Sequence, residues 1–257
     1  MTKRRKFVLV SLVLALGLLG TQLVRVEYRY YALALLGAVS YGLSAWALVE
    51  DMKGIEWVML LILPALYPVS VGLFYFLLPQ QFLSRIFILG FFGVGMYALL
   101  LTSNIFSVAA IRTIQLLRAA HAVGFLLTLV TGFFLFDTIL SFKLAVWLNV
   151  GLVAGVSWLL LLKGLWSMEL TEEMLSSRVM QYSVGLAISL GLVAGGLSFW
   201  PVTVAVGSLF LVSMMYVGLG LAQQYLVGRL FRNTVREYLL VGLVVLVTTV
   251  LMTRWTG

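Results

Sequence analysis

The chain has 257 residues, of which 63% are hydrophobic and only 10% are charged. Soluble domains carry roughly 45–50% apolar and about 25% charged residues, so this composition excludes an ordinary soluble globule. There is no cysteine, which excludes disulfides, thiolate metal sites, iron–sulfur clusters and cysteine nucleophiles. The net charge of +8 is typical of basic loops held against anionic lipid head groups, and we expect no nucleic-acid partner.

Apolar runs long enough to cross the roughly 30 Å hydrocarbon layer follow one another along the whole chain. Backbone amides in lipid must be bonded within the protein, and these runs lack the alternation of a barrel, so the predicted class is an all-α polytopic transmembrane bundle. No polar linker interrupts it, and residues 1–257 are predicted to form a single transmembrane domain. About nine spans are predicted, with eight possible, near residues 7–24, 31–49, 57–78, 86–102, 119–136, 140–162, 179–199, 202–222 and 238–253.

The first run, "MTKRRKFVLVSLVLALGLLG", has the basic start and apolar core of a signal peptide. No A-x-A-like cleavage site follows, and many apolar segments come after it, so an uncleaved first span with a cytoplasmic N-terminus is predicted. Nine crossings then put twelve of the 17 lysines and arginines on the cytoplasmic side, Lys163 and Arg229 among them. This excess agrees with the positive-inside rule.

The third span contains Pro64 and Pro68, one helical turn apart. Each proline removes a backbone N–H and crowds the preceding turn, which predicts a helix kink at these two positions. A broken helix can line a binding site in transporters, whereas a kink that only serves packing is the alternative.

Two patterns of small residues also stand out. "GLVAG" occurs at 151–155 and again at 191–195, a spacing that predicts close helix packing. In addition, "LGAVSYGLSAW" at 36–46 matches "LGLVAGGLSFW" at 190–200 at seven of eleven positions. These segments lie in spans of opposite direction, so a true repeat would be of the inverted-topology kind.

The residues that most enzymes and metal sites need are scarce. There are only two aspartates, Asp51 and Asp137, and one histidine, and neither an H-E-x-x-H motif nor a nucleotide-binding fingerprint occurs. We therefore predict no catalytic residue, metal or cofactor. Asp137 and Lys143 flank the turn between the fifth and sixth spans. They are near enough to pair across it, but Lys143 is also near enough to the surface to reach the head groups instead.

Polar side chains are concentrated at 102–123, "TSNIFSVAAIRTIQLLRAAHAV". At 100° per residue most of them share one arc of a helix, which predicts a re-entrant or interfacial cytoplasmic helix between spans four and five. Its candidate ligand-binding residues are Asn104, Arg112, Gln115, Arg118 and His121. Three interpretations remain open: anchoring to anionic lipid, an anion site in which Arg118 and His121 act together, and a docking helix for a cytoplasmic protein partner.

A second basic element, "LAQQYLVGRLFRNTVREYLL", spaces Arg229, Arg232 and Arg236 at i, i+3 and i+7. This spacing places the three arginines on one helical face and predicts contact with lipid head groups.

The segment "TSNIFSVAAIRTIQLLRAAHAVGFLL" resembles a segment of an uncharacterised family of bacterial multi-pass membrane proteins with no assigned activity. The resemblance implies a location in the bacterial cytoplasmic (inner) membrane and implies no substrate. The leading hypothesis is a transporter-like, permease-like or lipid-handling protein with an anion contact on its cytoplasmic side. The alternative is a non-catalytic accessory or scaffold subunit of a membrane complex.

Overall fold

The computed structural model describes residues 2–50, 52, 54–78, 81–109, 116–170 and 175–253. These ranges contain nine α-helices and no strand, and each helix is long and apolar enough to span a membrane. The protein is therefore a multi-pass α-helical membrane protein, which confirms the predicted class. The helices are α1 (Lys3–Leu23), α2 (Arg29–Leu48), α3 (Glu56–Leu77), α4 (Phe82–Ala109), α5 (Leu117–Ser141), α6 (Val146–Trp166), α7 (Ser177–Leu197), α8 (Val204–Leu226) and α9 (Arg232–Met252).

Several helices extend past the predicted spans. The sixth span was expected to end at residue 162 and to leave Lys163 in a cytoplasmic loop, but α6 continues to Trp166. Lys163 is consequently only 3% exposed, and its place in a loop was wrong. The physical reason is the apolar run on both sides of it, which continues the helix, while a cation in the last turn complements the negative helix end.

The chain divides into two compact units, residues 1–131 and 132–257. Unit 1 contains α1 to α4 and the beginning of α5, and unit 2 contains the rest of α5 and α6 to α9. The two segments of the proposed repeat lie in α2 of unit 1 and at α7 of unit 2. The repeat and the single transmembrane domain both stay predictions.

In unit 1, α3 runs without a break through Pro64 and Pro68, and both prolines are buried. A proline has no N–H, so the carbonyl groups of Leu60 and Pro64 lack their usual helical donors. Serines from neighbouring helices replace those donors. Ser40 of α2 donates to the Pro64 carbonyl oxygen at 2.7 Å, and Ser103 of α4 donates to the Leu60 carbonyl oxygen at 3.4 Å. Of the two alternatives, the continuous helix and the buried prolines favour packing within the unit over a broken helix that lines a binding site. The kink at Pro64 and Pro68 stays a prediction.

The same helix packs closely against α4 through Tyr67. This side chain is fully buried, its ring stacks on Phe92 with centroids 5.5 Å apart, and its hydroxyl donates to the Phe91 carbonyl oxygen at 3.2 Å. A methyl group at Gly95 would overlap the Tyr67 hydroxyl. A glycine at this position is therefore what lets the tyrosine approach α4.

In unit 2, α6 and α7 pack closely through the glycines of α7. A Cβ atom at Gly191 would lie 2.8 Å from the Val150 carbonyl oxygen, and one at Gly195 would lie 2.8 Å from a Val150 methyl group. Gly151 and Gly155 of α6 face open space instead. Close packing is thus confirmed for the second "GLVAG" segment only. Most side chains of α9 are exposed.

Candidate functional site

The polar stretch at 102–123 is divided between the end of α4 and the beginning of α5. The Phe106 ring lies 5.2 Å from the His121 ring, whereas one continuous helix would separate residues 15 positions apart by about 22 Å. The chain therefore reverses direction between them, and the predicted single helical face was wrong. Of the candidate residues, Asn104, Arg118 and His121 belong to these two helices, while Arg112 and Gln115 lie outside the described residues.

At the end of α4, Ser107 is buried and contacts an acidic side chain of α3. Its hydroxyl donates to Glu56 Oε2 at 2.9 Å, and Glu56 is itself 8% exposed. Glu56 is the first residue of α3, where a negative charge is stabilised by the positive end of the helix. The structure thus shows a buried carboxylate at the beginning of α3.

Asn104 lies one turn before Ser107 on α4 and is half-buried. Its side-chain oxygen, Oδ1, is enclosed and has no hydrogen-bond partner among the residues that the structure describes. A buried acceptor without a donor costs free energy. This oxygen is therefore a position at which a bound donor would be stabilising.

At the beginning of α5, two basic side chains lie one helical turn apart. Arg118 is exposed, His121 is half-buried, and the first turn of α5 carries no acidic residue. The N-terminal end of a helix already has positive character, so Arg118 adds charge of the same sign. An anion at this end would be stabilised by the first backbone N–H groups of the helix, by the helix dipole and by Arg118 together.

A second charged cluster lies at the start of α1 and just after α2. The Lys6 ammonium donates to Glu50 Oε1 at 2.7 Å, Lys3 is 3.8 Å from the other carboxylate oxygen, and Lys6 also lies 5.4 Å from the Trp46 ring centre. The hydrogen bond from Lys6 lowers the pKa of Glu50 below its ordinary value. Glu50 is largely exposed, so this pair contributes little to stability.

The three arginines near α9 do not share one helix. Arg229 belongs to the turn that ends α8, where its N–H donates to the Gln224 carbonyl oxygen and Gly228 adopts a positive φ of 70°. This is a Schellman C-cap, and it stops the helix before Arg229. Arg232 and Arg236 lie on α9, are exposed, and line an open groove of about 900 Å³ with leucines further along the helix.

The comparisons identify a family. Residues 13–252 match the family described as "Protein of unknown function (DUF5656)". The chain belongs to this family. No curated protein and no solved structure matches it.

Two further findings concern this DUF5656 chain's ionisable residues. Asp137 lies inside α5 and is buried, and its Oδ1 accepts a hydrogen bond of 3.0 Å from Ser208 of α8. Of the two alternatives for Lys143, pairing with Asp137 is not seen in the described part of the chain, where the Asp137 carboxylate is hydrogen-bonded to Ser208 instead. Across the described ranges, no group of three or more His, Cys, Asp or Glu residues could hold a metal ion.

Sequence reasoning missed Glu56 and Asp137 because both depend on contacts between distant parts of the chain. Ser107 is 51 residues from Glu56, and Ser208 is 71 residues from Asp137. The available signal was the general rule that an acidic residue within or beside a transmembrane helix is paired or functional.

Proposed function

We propose that this protein is a lipid-handling or transport protein that binds an anionic group at the beginning of α5, on the cytoplasmic side of a bacterial inner membrane. The observation that carries the proposal is the charge at this helix end. Arg118 is exposed at the positive end of α5, His121 lies one turn further along, and the first turn of α5 contains no acidic residue. A phosphate or carboxylate group is the partner that this arrangement favours.

Lipid head groups are the most abundant anions at this position in the predicted topology. Arg118 lies near the end of a membrane-spanning helix, where arginine side chains reach the phosphate layer. The enclosed Asn104 oxygen near the end of α4 would accept a hydrogen bond from a head group that carries a hydroxyl or ammonium donor. The proposed ligand is therefore an anionic phospholipid.

Native mass spectrometry of protein released from nanodiscs tests this proposal. Nanodiscs of equal parts phosphatidylglycerol and phosphatidylcholine offer an anionic and a zwitterionic lipid to the same protein. The wild type is expected to retain phosphatidylglycerol preferentially, and Arg118→Ala to reduce that preference about fivefold, since one basic residue near a lipid surface contributes about 1 kcal/mol.

Arg85→Ala is the matched control. Arg85 is also an exposed arginine near a helix beginning, that of α4, but the predicted topology puts it on the outer side. Its replacement should leave the lipid preference unchanged. Equal losses in the two variants would mean that net charge alone sets the preference, and an unselective wild type that co-purifies with a protein would favour the accessory-subunit hypothesis.

A further inference from the structure

A cavity of about 340 Å³ opens in unit 2 between the α5–α6 turn and the α7–α8 turn. Its walls are apolar on several sides, with Leu140, Leu144 and Leu197 among the lining residues. The volume is at the small end of the range for ligand pockets, about 300–1,000 Å³. The cavity is therefore large enough for a head group or a small organic anion, and too small for a complete phospholipid.

Three sources of positive charge line this cavity: the N-terminal ends of α6 and α8, and Lys143. The first residues of α6 and α8, Val146 and Val204, both line it, and neither helix has a side-chain cap or an acidic residue in its first turn. Two sets of free backbone N–H groups and two positive helix ends therefore meet at one place. Lys143 also lines the cavity, and its backbone has a positive φ of 48°.

Asn149 supplies a polar contact of a different kind. This side chain lines the cavity and is 4% exposed. Its Nδ2 donates to Ser198 Oγ at 3.1 Å and to the Leu144 carbonyl oxygen at 3.4 Å. The Ser198 hydroxyl donates onward to the Ala194 carbonyl oxygen, so the amide orientation is fixed by the network. Asn149 Oδ1 is left without a hydrogen-bond partner in the described part of the chain.

One acidic residue lies nearby along α5. Asp137 precedes Leu140 by three residues, but its carboxylate accepts a hydrogen bond from Ser208 and it does not line the cavity. The lining residues therefore include a cation and an amide, and none of them is acidic.

We propose that this cavity binds an anionic group that carries a neighbouring hydrogen-bond donor, such as a phosphate or carboxylate next to a hydroxyl or ammonium group. The anion lies against the N-termini of α6 and α8 and near the Lys143 ammonium, and the donor meets Asn149 Oδ1. Phospholipid head groups and small soluble phosphates share this chemistry. In the predicted topology the cavity faces the outer side, so the site is separate from the one proposed at Arg118 and is tested through different residues.

Isothermal titration calorimetry tests whether the ligand is a small soluble phosphate. It measures the binding of sn-glycerol 3-phosphate to the full-length protein in phosphatidylcholine nanodiscs. Lys143→Asn removes the charge and keeps a residue that tolerates positive φ, and it should weaken binding at least fivefold. Arg178→Asn is the matched control, because it removes an exposed charge from the other end of α7. Methyl phosphate lacks the hydroxyl donors and should bind the wild type about tenfold more weakly than glycerol phosphate.

Asn149→Leu is nearly isosteric and removes the Oδ1 acceptor. It should abolish the difference in affinity between glycerol phosphate and methyl phosphate. The lipid source is tested by native mass spectrometry from nanodiscs that contain phosphatidylglycerol: retention of this lipid by the wild type and its loss in Lys143→Asn, without glycerol phosphate binding, assigns the site to a head group. Absence of both ligands, or equal effects of Lys143→Asn and Arg178→Asn, overturns the proposal. Thermal unfolding of each variant verifies that the bundle remains folded.

Discussion

The two serine hydroxyls that contact α3 make a quantitative prediction about the prolines. Ser40 is completely buried, and its hydroxyl is the donor that the Pro64 carbonyl receives in place of the N–H that Pro68 lacks. Ser40→Ala leaves this buried carbonyl without a donor. A buried unsatisfied group costs about 1–3 kcal/mol, but hydrogen bonds between transmembrane helices average about 0.6 kcal/mol with a maximum near 1.7. We expect a destabilisation of about 1 kcal/mol.

Reversible unfolding in mixed micelles with increasing dodecyl sulfate gives the free energy of unfolding for this comparison. Ser11→Ala is the matched control, because Ser11 is also buried and donates to the Phe7 carbonyl oxygen at 2.8 Å, yet that carbonyl keeps its helical N–H donor. Its replacement should cost less than about 0.5 kcal/mol. Ser103→Ala loses a longer hydrogen bond of 3.4 Å, so its destabilisation should lie between those of Ser40→Ala and Ser11→Ala.

A double-mutant cycle isolates the cause. Pro68→Ala restores an N–H one turn after Pro64, so the helix itself can then satisfy the carbonyl. In the Pro68→Ala background, Ser40→Ala should lower the free energy of unfolding by no more than the control Ser11→Ala does. The reasoning would be refuted if Ser40→Ala and Ser11→Ala had equal effects, or if the cost of Ser40→Ala were the same with and without Pro68.

Two further predictions concern unit 1. Gly95→Ala should destabilise the protein by about 1–3 kcal/mol, because its methyl group overlaps the buried Tyr67 and overpacking has costs of this size. Gly93→Ala on the same helix faces open space and should be neutral or stabilising, and equal effects in thermal unfolding would contradict the packing described. The lowered pKa of Glu50 predicts that its hydrogen bond with Lys6 is complete above the pKa of an unfolded-chain glutamate. That bond is lost as the pH falls through the lower folded-state pKa. Nuclear magnetic resonance of the Glu50 carboxyl carbon should show this titration, and Lys6→Gln should raise the pKa; an unchanged titration would exclude Lys6 as the cause.

The sequence predicts the helices of this protein well and its sites poorly. Apolar run length predicts the nine helices, because a membrane of fixed thickness demands long segments with internally bonded backbones. It does not predict helix ends, and so Lys163 was expected in a loop and is buried in α6. The division of the polar stretch between α4 and α5 was also missed, because helical periodicity at 102–123 carries no information about where one helix ends and the next begins.

The sites depend on contacts that local patterns do not contain. Arg118 and His121 were proposed from their types and spacing and stay a prediction. The pairing of Glu56 with Ser107 and of Asp137 with Ser208 can be seen only in the packed bundle. The cavity beside Asn149 has no local signal at all, since its walls come from two turns about 60 residues apart. For the prolines, the sequence predicted the lost donors correctly, and only the structure shows which serines replace them.

Site-directed labelling beside Arg118 tests the central claim most directly, namely that the beginning of α5 meets anionic head groups on the cytoplasmic side. The chain has no cysteine, so Ala119→Cys, at an exposed position, gives a single reactive thiol and keeps Arg118. A membrane-impermeant maleimide should label it in inverted bacterial vesicles only. In reconstituted vesicles the labelling should be slower with phosphatidylglycerol than with phosphatidylcholine alone, and Arg118→Ala should remove that difference. Labelling from the outer side, or a rate that does not depend on the anionic lipid, would contradict the account.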